Sequence, residues 1–391
     1  MLVEIINVEE IAQVWDISTI NFSVCRDFYL RSLLYRKNIR ATFSVILISF
    51  CFFSCDAQTP KYRSVKLNNI NLDTLSRIEY LFTKEEIEIK TNPNKIIDQI
   101  KSYGTMDRFG NIYLIGLNSE IYRINKNGIL LKTFSNYGKG PGEYINISKI
   151  LVDNECNIYM LDFFQEKILI YDSLFKYKST ITLEPTGVTD MVLGEKGTII
   201  CYDAFQSENI IYIYNSKNGQ LSAKYGKPDN LVLKYLAFYT SQSIDYDNGR
   251  IFYAYPLQYK ITAIEKNYTT SNIRPKSSYF KQISKPVVNA LHRDLKNKFS
   301  TIYWFRVLAE GYFIIQIIHP NESDESRNDI FFDIVSFDGK IIKEKLIFEN
   351  IGFLTKIADG TFMTITYPEI SFDGSTYVPN PIINIYKLKS M

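Results

Sequence analysis

The sequence predicts an all-β protein, a six-bladed β-propeller of four-stranded antiparallel blades preceded by a lipoprotein signal segment. Three observations lead there. An acidic residue, a turn and an apolar strand start recur at DRFGNIYLI from Asp107, DNECNIYML from Asp153, EKGTIICYD from Glu195, DNGRIFYAY from Asp247, EGYFIIQII from Glu310 and DGTFMTITY from Asp359. The mean spacing is about 50 residues, the length of one four-stranded blade. Aromatic residues make up 15% of the chain, with 29 Tyr and 26 Phe, a composition that suits pleated strands better than helices.

Taken in chain order, residues 1–30 are a mixed polar stretch of a kind that rarely precedes a signal peptide, and they read as an over-extended start or as disordered chain. Residues 31–55 read as the signal peptide. Arg31, Arg36, Lys37 and Arg40 supply a basic region, and Ala41 to Phe53 is an uncharged apolar run. That run is about 13 residues long, right for a signal segment and short of the roughly 20 that a spanning helix needs. It stops at Ser54-Cys55, a small residue directly before Cys, which resembles the lipobox of bacterial lipoproteins and makes Cys55 the candidate lipidation site. The competing reading is a short uncleaved anchor. Residues 56–82 are a linker and approach strand, and residues 83–391 form the propeller. Only Cys156 and Cys201 remain after the signal, which is no disulfide framework.

The blades fall near residues 96–134, 144–183, 187–225, 239–273, 301–348 and 350–390. Gly110, Gly197, Gly249, Gly311 and Gly360 share one position in the repeat, where the hairpin turn requires positive φ, and Cys156 replaces Gly in the second copy. Asn127-Gly128, Asn218-Gly219 and Asp338-Gly339 mark later hairpins within the blades. The sixth unit lacks a fourth strand. Upstream, TKEEIEIK (Thr83 to Lys90) alternates with no partner, so Glu85–Lys90 is expected to complete the last blade and close the ring. Helical periodicity is confined to 285–299.

The stretch SNYGKGPGEYINIS (Ser135 to Ser148) follows the fourth strand of blade one. A phosphate-binding loop needs a helix after its glycines and a closing Gly-Lys-Ser/Thr, and here a strand follows. The run therefore reads as a sharp crossing between blades. Gly138, Gly140 and Gly142 supply unusual backbone angles, Pro141 restricts the chain, Glu143 caps local amides and Tyr144 packs between blades. The alternative is that Glu143 touches a ligand at the rim. GKGPGEY, the preceding TNPNKIIDQI from Thr91, the Asn-Ile-Tyr strands and the lipobox-like start together resemble the six-bladed β-propeller lipoproteins of anaerobic Gram-negative bacteria, which share their architecture with NHL-repeat and TolB-like propellers. The resemblance spans roughly residues 55–390 and is strongest from Lys84 to Asp172. It implies a fold and an envelope location more than a chemistry.

The charge balance is even, 45 basic against 42 acidic residues, so nucleic acid is not an expected partner. Two histidines leave little material for zinc or imidazole catalysis, and neither a metal nor a cofactor is expected. No Gly-x-Ser-x-Gly, His-Glu-x-x-His or Cys-x-x-Cys pattern occurs. Asp245 to Gly249 looks superficially like a calcium loop but lacks the later Glu and falls on a repeat turn. Asp162 and Asp203 end second strands and are expected to cap turns. The remaining cluster is TIYWFRV (Thr301 to Val307), an innermost strand of blade five. Alternation sets Tyr303, Phe305 and Val307 on one face and Ile302, Trp304 and Arg306 on the other. Arg306 and Trp304, with His292 and Arg293 from the insert at 274–300, are the candidate ligand-binding set at the channel mouth. The alternative buries Trp304 between blades and pairs Arg306 with an acid of a neighbouring blade. The leading functional expectation is a non-catalytic binding or scaffold role for a small ligand, glycan or protein, held at the membrane by a lipid anchor. The alternatives are an envelope hydrolase or lyase using carboxylates and Arg, and a structural subunit of an outer-membrane complex.

Overall fold

The computed structural model describes residues 76–91, 97, 99–185, 187–204, 208–227, 243–283, 298–309, 311–321, 323, 327–348, 355–367 and 380–389. The expected signal segment, Cys55, His292, Arg293 and nearly all of the expected helix at 285–299 lie outside these residues.

A first strand, β1 (Phe82–Glu88), precedes the repeats. Blade one is β2 (Ile100–Met106), β3 (Ile112–Gly116), β4 (Ile121–Ile124) and β5 (Leu130–Phe134). Blade two is β6 (Ile147–Val152), β7 (Ile158–Asp162), β8 (Lys167–Tyr171) and β9 (Tyr177–Thr182). Blade three is β10 (Val188–Leu193), β11 (Thr198–Asp203), β12 (Ile211–Asn215) and β13 (Leu221–Tyr225). Blade four is β14 (Ile244–Asp247), β15 (Arg250–Ala254), β16 (Ile261–Ile264) and β17 (Thr270–Ile273). Blade five is β18 (Thr301–Ala309), β19 (Tyr312–Pro320), β20 (Asn328–Ser336) and β21 (Ile341–Leu346). Blade six is β22 (Thr355–Ala358), β23 (Thr361–Thr366) and β24 (Ile382–Leu388), completed on its outer edge by β1.

Strands pair in chain order within each blade, and the first strands of successive blades pack on one another around the axis from blade six through blade one to blade five. Each pair of neighbouring blades encloses its own apolar core. One joins blades one and two around Tyr144 and Tyr171, another joins blades five and six around Trp304 and Phe332, and four more complete the circle. Middle strands are therefore covered on both faces, and β3 and β7 are buried at every residue. This explains their continuous apolar runs, where a one-sided sheet would alternate. Outer strands such as β5 show intermediate and exposed residues only.

Closure follows the expected route with a shifted register. β1 runs antiparallel to β24 from Phe82 opposite Leu388 to Glu88 opposite Ile382. The pairing thus starts before Glu85 and ends before Ile89 and Lys90. Lys90 leaves the edge because its backbone bridges to blade one, its N–H donating to the Gly128 carbonyl at 2.8 Å and its carbonyl accepting from the Leu130 N–H at 3.1 Å.

The repeat motif has a physical meaning at each position. In blade one, Asp107 Oδ1 accepts from the N–H groups of Phe109 and Asn111, and Oδ2 accepts from the Asn111 amide and the Tyr113 hydroxyl. Asp153 makes the same set with Glu155, Asn157 and Tyr159 in blade two. One carboxylate thereby satisfies the turn and ties it to the strand that follows, which is why the Asp, the Asn four residues later and the Tyr two after that recur together. The shared glycine position is left-handed throughout, with φ from 60° at Gly360 to 84° at Gly311, and Cys156 adopts φ 62° in the same place. Cys156 and Cys201 are both buried and neither forms a disulfide.

The glycine-rich stretch is a blade-to-blade corner. The Glu143 carboxylate accepts from the Gly140 N–H at 2.7 Å, the Asn136 amide donates to the Gly142 carbonyl at 2.9 Å, and the Tyr171 hydroxyl also donates to that carbonyl. Tyr144 is fully buried in the core between blades one and two. Gly142 has φ 75°, and a Cβ there would stand 2.9 Å from Cγ of the Tyr177 ring. Gly311 has φ 84° with nothing within 4 Å of its Cβ position. Gly311→Ala should therefore cost only the left-handed backbone penalty of about 1–2 kcal/mol. Gly142→Ala should cost that plus the displacement of a packed ring, about 2–4 kcal/mol in all. Urea-unfolding midpoints of the two variants compare them directly, and equal losses would mean that Tyr177 moves aside freely.

Candidate functional site

Innermost strands of a propeller face the axis, and here five of them carry a charge that meets others there: Lys149 in β6, Asp190 in β10, Asp245 in β14, Arg306 in β18 and Lys356 in β22. Their contacts show that they meet across the axis. Lys149 Nζ is 2.9 Å from Asp190 Oδ1, linking blades two and three. Arg306 Nη2 is 3.5 Å from Asp190 Oδ2, linking blades three and five, which are not neighbours in the ring. Lys356 Nζ is 3.0 Å from Asp245 Oδ2, linking blades four and six, again not neighbours. Arg306 Nη1 also donates to the Ile244 carbonyl at 2.8 Å, and Asp245 Oδ2 accepts from the Val307 N–H at 2.8 Å. Lys356 continues outward to Asp359, 3.2 Å away on the turn after β22.

Asp190 is wholly buried, and Arg306, Asp245 and Lys149 are nearly so. Burial lowers the pKa of Lys149, with Arg306 adding to that effect and Asp190 opposing it. At Lys356 burial also disfavours the ammonium, but Asp245 and Asp359 outweigh it and hold the pKa above the ordinary lysine value. Each buried carboxylate thus serves two groups at once, and the belt ties five of the six blades together. At the end of the axis where the crossovers enter, Lys101 of blade one reaches Asn146 Oδ1 at 3.2 Å and the Ile147 carbonyl at 3.0 Å in blade two. Its own blade supplies Ser119 Oγ at 3.2 Å. Burial lowers its pKa against the attraction of Asp162.

These positions redraw the expected ligand set. Arg306 lies on the axis, but its guanidinium is engaged by Asp190 and by the Ile244 and Phe305 carbonyls. Trp304 stands in the core between blades five and six, with Phe332 at 6.0 Å and Phe362 at 6.4 Å between ring centroids. Its indole N–H is buried with no acceptor among the described residues. The expected alternation fails because the register of β18 against β19 shifts between Ile302 and Trp304. Ile302 consequently joins Phe305 and Val307 on the side of blade four, while Tyr303 and Trp304 both face blade six.

Asp245 is on the axis and not in the turn; Asp247 holds the turn through Arg250 at 3.1 Å. Asp162 is the expected cap, accepting from the N–H groups of Ile145, Asn146, Phe164 and Gln165. Between blades four and five, Asp333 accepts from the hydroxyls of Tyr259 and Tyr279 and from the Lys345 N–H. Burial pushes its pKa up to about 6 despite those donors.

A ring of six four-stranded blades closed by strand exchange between its termini and pinned by axial ion pairs is a six-bladed β-propeller. The chain belongs to the 6-bladed beta-propeller family DUF5128, which matches residues 60–286. Among solved structures it is similar to a protein of Bacteroides fragilis NCTC 9343 described as exported, at 14% identity and a TM-score of 0.58, covering 80% of this chain and 97% of that one. It is also similar to a DUF4221 family member from Bacteroides vulgatus ATCC 8482, at 9% identity and a TM-score of 0.54, covering 79% of this chain and 98% of that one. At these identities the likeness is one of fold. No curated protein sequence matches the chain.

Proposed function

We propose that this chain is a lipid-anchored propeller of the bacterial envelope that binds a ligand or partner and does not catalyse a reaction on it. One observation carries the binding reading. The axial carboxylates Asp190 and Asp245, the groups an Arg-assisted hydrolase or lyase would use as acid and base, are each held by cations and backbone donors within a buried belt. A general acid or base needs reach to a substrate proton, and these oxygens are already spent on the ring itself. The envelope address rests on the basic region, the short apolar run and Ser54-Cys55, and the B. fragilis protein of like fold is described as exported.

Two measurements test the proposal together. Fatty-acid labelling in a Gram-negative anaerobe should mark the wild-type chain and not Cys55→Ala; equal label in both removes the anchor. The purified chain, incubated with oligosaccharide mixtures of defined length, should retain part of the mixture and return every component unshortened by mass spectrometry. Shortened products, or unsaturated ends, would establish the enzyme reading instead.

A further inference from the structure

The outer half of blade four carries a polar, cationic face toward blade three. Tyr253 of β15 is opposite Thr262 of β16, which is opposite Asn272 of β17. These three form one row across the sheet, and the Thr262 hydroxyl is 2.9 Å from Asn272 Oδ1. The next row on the same face is Tyr255, Lys260 and Arg274, since the intervening residues Ala254, Ile261 and Ile273 pair in register and alternate residues share a face. Gly226 and Lys227, directly after the last strand of blade three, supply the opposite wall, and the Tyr255 hydroxyl donates to the Lys227 carbonyl at 3.1 Å. Between the walls lies a cavity of about 690 Å³, within the span of about 300–1,000 Å³ usual for ligand sites. Gly226 keeps it narrow at its floor: φ is 76°, and a Cβ there would come within 2.9 Å of the Tyr253 hydroxyl.

The lining has a definite chemistry. Lys227, Lys260 and Arg274 contribute three cations, no acid among the described residues lines the cavity, and Gln258, Thr262, Thr270 and Asn272 place amides and hydroxyls between them. Lys260 is held over the Tyr255 ring, its Nζ 4.0 Å from the centroid, so one cation is fixed in position. Arg274, Asn272 and Thr270 are exposed, which opens the cavity to solvent. Among the described residues no aliphatic side chain lines it, as an acyl chain would require, and Tyr253 and Tyr255 are too buried to stack a nucleobase. One fixed cation, two further cations and interleaved hydroxyls and amides fit a polyhydroxylated anion.

We propose that this cavity between blades three and four is a binding site for an acidic oligosaccharide, with Lys260 and Arg274 meeting its carboxylate or sulfate groups and Thr262, Asn272 and Thr270 meeting its hydroxyls. The proposal rests on the reading of the chain as a binding propeller and adds the site and the ligand class. It is separate from the axial belt.

Isothermal titration of the full chain with tetragalacturonate, cellotetraose and inorganic sulfate tests it. Tetragalacturonate should bind, cellotetraose should bind at least tenfold more weakly, and sulfate at equal concentration should displace little. The double variant Lys260→Gln/Arg274→Gln should lose at least tenfold in affinity for tetragalacturonate. Because Lys260 covers a buried ring, the single exposed substitution Arg274→Glu provides a second reading that leaves the core untouched, with the same expected direction. A charge-matched control, Lys126→Gln/Lys176→Gln on exposed turns of blades one and two, should bind as wild type. Unchanged affinity in both groove variants overturns the site while leaving a binding role intact. Equal binding of cellotetraose, full displacement by sulfate, or no binding of tetragalacturonate overturns the ligand class. Shortening of tetragalacturonate during the titration overturns the binding-only reading of the protein.

Discussion

Asp190→Ala is expected to lower the stability of the propeller by about 3–5 kcal/mol, the usual consequence of removing one partner from a buried charge pair. The carboxylate meets Lys149 on one oxygen and Arg306 on the other, and all three side chains are nearly or fully excluded from solvent. Its loss leaves two cations facing one another on the axis, with Lys149 already disfavoured as an ammonium by burial. The penalty comes from the stranded charges more than from the lost contacts. Replacing the whole triad with apolar side chains, as Lys149→Met/Asp190→Leu/Arg306→Met, should therefore recover most of the loss. Urea unfolding with an unchanged slope measures both variants. A loss under about 0.5 kcal/mol for Asp190→Ala would mean that the axis is hydrated and the pairs are weak.

How much of this was legible in the sequence depends on the range of the interaction. The blade boundaries follow from the Asp–turn–strand signal because one carboxylate, such as Asp107, accepts its turn and strand hydrogen bonds from within six residues. The corner at Gly138 to Tyr144 was legible for the same reason, since Glu143 caps Gly140 three residues away. The axial belt was not. Arg306 stands out as a charge on an inner strand, but Asp190 lies 116 positions away, and nothing local to either residue selects the other. The signal that existed was a single charge within each apolar inner strand, at Lys149, Asp190 and Lys356. Alternation puts Ile302 and Tyr303 on the wrong faces, because the irregularity between Ile302 and Trp304 exchanges the faces of the strand and leaves no mark in composition. Trp304 lies on the face opposite Phe305 and Val307 as alternation has it, buried between blades as in the alternative reading. The groove of blade four is intermediate. Thr270, Asn272 and Arg274 alternate in the sequence, but their meaning depends on the rows they form with Lys260 and Thr262.

Deleting Thr83–Lys90 is expected to abolish the monomeric fold, and the reason lies in what β1 covers. Phe82, which remains, would lose the strand that positions it against Phe362 and Tyr386, with ring centroids 5.5 Å and 6.2 Å away. Ile87 and Ile89, which go, are buried in the core shared by blades six and one. Burying each such side chain is worth about 1.5–3 kcal/mol, so the apolar loss alone is roughly 3–6 kcal/mol before the backbone ladder is counted. The deletion also changes the character of the exposed edge. β1 presents Lys84, Glu85, Glu86 and Glu88 to solvent, a charged edge that discourages pairing with other chains. β24, uncovered in its place, reads Ile-Ile-Asn-Ile-Tyr and is largely buried in the closed ring. Aggregation is the expected outcome, seen as loss of the monomer peak in size-exclusion chromatography. Phe82→Ala in the full chain isolates the packing contribution and should cost about 3–5 kcal/mol with the monomer retained. A deletion protein that elutes as a monomer with the wild-type melting temperature would mean that the ring holds without the exchanged strand, and the six cores would then have to stabilise an open blade six by themselves.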